Sequence, residues 1–219
     1  MLCVLVCAAC CRGNESVAGG KAPAGAPCQR RWELPERVLA ANSDFSRELR
    51  EVGKSYREFT RRGGPPKWSP GLCTVPPPTP VLSTNNDEGA HGRKLYYLFV
   101  KDDASYESLG PGSLPQQSGQ ALVKESYFPC EVAKDDAGGW EMESKGKHYR
   151  RGQLYALFIM LKLDPTTPGT DQGWVYGTLT PDGEKVTSQG RVENCMSCHE
   201  DAPYERLFGP KSTAQTKGR

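Results

Sequence analysis

Apolar residues recur at Phe45, Leu49, Val52, Tyr56 and Phe59, at intervals of four, three, four and three, which is one face of an amphipathic helix. Ser43 stands where an N-cap belongs, and a basic turn followed by Gly63, Gly64 and Pro65 predicts the stop. Beyond residue 91 the pattern changes. "KLYYLFVKD", "GQALVKESYF", "QLYALFIMLKL" and "GWVYGTLTPDG" are aromatic and β-branched runs bounded by Gly, Pro and Asp, which predict strands. The third is apolar enough for both its faces to be covered, and Asp182-Gly183 supplies a reversal between two strands. Helix is expected again only around the "CMSCH" stretch and in "PYERLF". The predicted fold class is therefore α+β: mainly antiparallel β-sheet, with an N-terminal helix and a C-terminal helical segment.

Composition divides the rest of the chain. Its 18 prolines and 24 glycines among 219 residues concentrate in connecting segments. Residues 1–11 are apolar and small, without the basic start of a full signal peptide, and read as an export signal whose true start is left open. Ala8 and Ala9 before Cys10 resemble the cleavage box of bacterial lipoproteins, in which the cysteine carries a lipid anchor. The alternative is a plain secretory signal. Residues 12–31 are a flexible linker, 32–64 an N-terminal helical extension and 65–87 a proline-rich connector too rich in proline for regular structure. The folded region spans 88–210, with a tail at 211–219. A net charge of +2 and the absence of a basic stripe give no nucleic-acid footprint.

Nine cysteines remain to be explained. Four lie in the export signal. Cys73 and Cys130 are the pair expected to form a disulfide in an oxidising compartment, with Cys28 in the linker. Cys195 and Cys198, followed at once by His199, complete C-x-x-C-H. A c-type haem requires that order: the two sulfurs bond to the vinyl groups and the adjacent imidazole ligates iron. Zinc or dithiol chemistry is the competing reading, but it needs no histidine directly after the second cysteine, and a zinc site needs two more ligands. An exported chain agrees with haem, because c-type attachment in bacteria is extracytoplasmic.

The blocks "GQALVKESY", "ALFIMLKLDP", "GWVYGTLTPDG" and "CMSCHEDAPYERLFG", in that order and spacing over roughly residues 88–210, resemble the cytochrome P-460 and cytochrome c′-beta family. The resemblance implies a β-rich body with helices packed on it, a homodimer, and one covalent haem c bound through Cys195 and Cys198 with His199 as the proximal iron ligand. It implies a small nitrogen-oxide or gaseous ligand, such as nitric oxide or hydroxylamine, and a redox partner protein. P-460 members oxidise hydroxylamine and carry a lysine bonded to the porphyrin edge; c′-beta members lack the bond and bind gases. Lys124 in "ALVKESY" stands where that lysine is sought, and the expectation here is a free amine. The alternative function is an electron-transfer cytochrome with a closed sixth position, for which His91, His148, Met142 and Met160 are the available ligands. Asp102, Asp103 and Glu125 are read as solvated charges, and no catalytic residue is assigned.

Overall fold

The computed structural model describes residues 44–69 and 93–210. The calls on Cys10, Cys11, Cys28, Ser43, Cys73 and His91 lie outside the described residues. Among those described, one antiparallel sheet of seven strands dominates: β1 (Thr60–Trp68), β2 (Leu95–Val100), β3 (Ala121–Val132), β4 (Met142–Ser144), β5 (Lys147–Lys162), β6 (Trp174–Leu179) and β7 (Val186–Gly190). Their order is β1-β2-β3-β5-β6-β7, with β4 paired to β5. The helices are short: α1 (Ser46–Ser55), α2 (Asp103–Glu107) and α3 (Glu193–His199), with a 3-10 turn at Tyr56–Glu58.

This overturns the α+β class. Among the described residues the fold is a β-sheet with three small helices, and no C-terminal helical segment is present there beyond the seven residues of α3. "PYERLF" forms turns closed by an antiparallel bridge between Tyr204 and Leu207. The left-handed backbone at Glu205 and Arg206 is incompatible with a helix there. The end of the helical extension and the start of the connector also need correction, because residues 60–68 form a strand. Pro65 and Pro66 are tolerated because β1 is at the sheet edge and its register with β2 jumps between Arg62 and Lys67, where the prolines owe no ladder hydrogen bond. Helix α1 correspondingly stops at Ser55, not at the glycines.

Alternation in the strands separates two cores. On one face Phe99, Val123, Ile159 and Gly177 form a row across β2, β3, β5 and β6. Helix α1 lies over this face, burying Phe45, Leu49, Val52 and Tyr56. The approach is close because Gly177 has no side chain: a Cβ there would meet Leu49 Cδ1 at 2.6 Å. Gln189 on β7 ties down the helix start by accepting from Phe45 N at 2.8 Å. Leu49 is fully buried. Leu49→Ala is expected to cost about 3 kcal/mol by loss of apolar burial and the cavity left over Gly177, read as a lower denaturant midpoint at unchanged m-value.

On the opposite face Leu98, Lys124, Phe158 and Thr178 align in one row, and Val100, Leu122, Met160, Tyr176 and Gly190 in the next. Met196 of α3, Val192, Cys195, Tyr204 and Leu207 pack against this face. The sheet thus carries α1 on one side and the C-x-x-C-H segment on the other.

Candidate functional site

Helix α3 places Cys195 and Cys198 three residues apart, on successive turns and facing the same side. Cys195 is a free thiol, and burial pushes its pKa up to about 11, opposed by the charge of Lys124. The sulfur is therefore a thiol near neutral pH. Cys198 is buried and disulfide-bonded, as is Cys130.

His199 ends the helix with its ring fixed by a specific contact. Its Nδ1 lies 2.6 Å from the carbonyl oxygen of Arg206. A carbonyl only accepts, so Nδ1 carries the proton, and in the neutral imidazole Nε2 then holds the lone pair able to ligate a metal. Tyr176 and Phe208 flank the ring, each with centroids 5.6 Å from it.

The loop that offers this carbonyl is bound to the sheet by charges. Arg206 forms a two-pronged pair with Asp171, Nε to Oδ2 at 2.8 Å and Nη2 to Oδ1 at 3.0 Å. Tyr176 donates its hydroxyl to the same carboxylate at 3.0 Å. Burial raises the Asp171 pKa, but the hydrogen bonds from Arg206 and Tyr176 outweigh it and hold the carboxyl below its ordinary value. Next to Arg206, Glu205 pairs with the ammonium of Lys162, which is 1% exposed and also donates to Gln172 O at 2.8 Å. The Trp174 indole donates to Glu205 O at 3.0 Å.

Lys124 comes to the same place from the middle of the sheet. It is close enough to Cys195 for each charge to shift the other's titration. Its Nζ stands 4.4 Å from the centroid of the Tyr96 ring, while Lys94 Nζ stands 4.6 Å from that of Tyr155. Phe128 and Phe158 pack on Tyr155. Burial chiefly, and then the charge of Lys94, push the Lys124 pKa down to about 8. Below that pH the ammonium is charged in both folded and unfolded chains, and its burial destabilises the fold. From about 8 to 10.5 the unfolded chain binds more protons, so this group makes stability rise with pH. In the haem-free chain, Lys124→Met is expected to stabilise at neutral pH by at most on the order of 3 kcal/mol. That gain should fade across the same window, as read from denaturant midpoints of both proteins.

The other candidates do not join this group. His148 lies on β5, its ring tilted against that of Trp140 with centroids 4.6 Å apart, and 3.9 Å from Glu143. Met142 packs by Trp68 and Tyr149, and Met160 is core beneath the C-x-x-C-H segment. The three carboxylates read as solvated have structural partners. Glu125 is 5% exposed and accepts from Tyr56 Oη at 2.5 Å. Asp102 caps α2 by accepting from Ser105 N at 3.0 Å, and Asp103 pairs with Arg62.

No protein-family model matches the chain, and no curated protein matches its sequence. The fit to haem rests on the residues themselves. One oriented imidazole is all the protein nitrogen a haem iron requires, and a reduced thiol and aromatic rings stand beside it. Cys198 fits only after reduction, since a sulfur in a disulfide cannot add to a vinyl group. Among the described residues no group of three or more His, Cys, Asp or Glu side chains could hold a metal ion.

Proposed function

We propose that the chain is an exported c-type haem protein of the cytochrome P-460 and c′-beta kind, binding or turning over small nitrogen-oxide ligands such as nitric oxide or hydroxylamine at the haem iron. Cys195 and Cys198 would hold one haem c by thioether bonds, and His199 would ligate its iron through Nε2. The observation that carries this reading is the 2.6 Å contact from His199 Nδ1 to the Arg206 carbonyl, on the same helix as both cysteines. Metal-ligating histidines are commonly oriented this way through their other nitrogen. Bound haem would supply a redox-active iron able to take one small ligand. A redox partner protein would exchange electrons with it.

Lys124 supports the family reading as a pocket residue, through its nearness to Cys195. We take it as a free amine, which favours gas binding over hydroxylamine oxidation. A tryptic map of the haem-loaded protein tests this: haem on a peptide containing Lys124 as well as the 195–199 segment reverses that assignment. Export and tethering through Cys10 or Cys11 are part of the proposal, and mass spectrometry of the native amino terminus tests them. No helix among the described residues is long and apolar enough to cross a membrane.

The function is tested by expression with a cytochrome c maturation apparatus, followed by the pyridine haemochrome spectrum and nitric oxide titration. A five-coordinate iron that binds nitric oxide is the expected result. A six-coordinate iron inert to it would replace the proposal with electron transfer. His199→Ala should keep the thioether bonds while changing the spin state, and an unchanged spectrum would remove His199 as ligand.

A further inference from the structure

We infer that Asp171 is a positioning residue for His199: by gripping the Arg206 guanidinium it fixes the Arg206 carbonyl on Nδ1, and so sets the orientation and donor strength of the imidazole. The consequence for iron rests on the haem reading above; the consequence for the imidazole does not.

Asp171 is fixed independently of α3. Its N–H donates to Trp174 O and its carbonyl accepts from Trp174 N, both at 2.9 Å, which closes the turn entering β6. The carboxylate is 5% exposed and takes three hydrogen bonds, two from the Arg206 fork and one from Tyr176. A two-pronged guanidinium pair fixes direction as well as distance. Direction matters here because Glu205 and Arg206 have φ of 47° and 72°. Left-handed backbone at a residue other than glycine is strained and persists only where the surroundings enforce it. Each of the two side chains is held by a buried partner, Glu205 by Lys162 at the end of β5 and Arg206 by Asp171 in the turn before β6. The product of that enforced turn is a carbonyl directed back at α3. An ion pair serving stability alone has no need to present a carbonyl to an imidazole.

An Nδ1–H···O=C bond shifts electron density toward Nε2 and strengthens it as a donor. Loosening the Asp171 grip lets the turn relax, lengthens that bond and allows the proton to move to Nε2. In a haem-loaded protein the weaker donor stabilises ferric iron less.

The test has two arms. In the haem-free chain, nitrogen-15 NMR of the His199 ring is expected to show the Nδ1–H tautomer, turning into a mixture with Nε2–H in Asp171→Asn. In the haem-loaded protein the same substitution should lower the iron–histidine stretching frequency and raise the reduction potential, with Asp171→Glu recovering part of both. If Asp171→Asn does not fold, Arg206→Lys, which keeps the charge but loses the fork, carries the measurement. A folded variant with an unchanged tautomer overturns the inference even where haem is bound. A wild-type chain that takes no haem overturns the haem reading, while the tautomer still decides the role of Asp171.

Discussion

Replacing Cys195 and Cys198 together by alanine is expected to abolish covalently retained haem after expression with the maturation apparatus, leaving none in denatured, solvent-extracted protein. The single variants should differ. Cys195 is already a thiol, so Cys198→Ala should retain haem through one thioether bond. Cys195→Ala depends on the second sulfur, which is disulfide-bonded and must first be reduced. Its yield of bound haem is therefore expected to rise with added thiol reductant, whereas that of Cys198→Ala should not. The readout is absorbance at the haemochrome band per mole of extracted protein. Haem retained by the double variant would end the thioether assignment.

The residues that shape the site differ in how visible they are in the sequence. C-x-x-C-H is legible because its chemistry is local: three side chains within five residues. The strands are legible because alternation records burial, and Lys124 stands out as a lysine within such a run. Asp171, Glu205 and Arg206 give no comparable signal. Their partners lie far off along the chain, and their backbone conformation follows from those partners rather than from intrinsic preference. "PYERLF" has the composition of a helix, but the ion pairs of Glu205 with buried Lys162 and of Arg206 with buried Asp171 impose a turn. The one clue was Lys162. A lysine inside "ALFIMLKLDP", otherwise apolar, must find a carboxylate if both faces of its strand are covered. Residues 60–68 are illegible for a different reason: a double proline excludes a central strand but not an edge strand that is irregular where the prolines fall.

Glu205→Ala should destabilise the fold by about 3–5 kcal/mol, because it leaves the Lys162 ammonium buried without its carboxylate. Lys162 is 1% exposed, and the remaining contact, the Gln172 carbonyl at 2.8 Å, is a neutral dipole. The Glu205 carboxylate also accepts from Gln116 N at 2.7 Å, so its loss opens a second buried donor. Much of the cost is the stranded charge rather than the worth of the pair. Lys162→Met in the same chain is therefore expected to recover most of the stability, since an apolar side chain of similar length can lie along the Trp174 ring that the ammonium now approaches at 5.3 Å. Denaturant midpoints of the two single variants and the double variant give the coupling directly. A double variant as unstable as Glu205→Ala would show that the turn fails through its own backbone, and that the left-handed conformation at 205 and 206, not the buried ammonium, is what the carboxylate sustains.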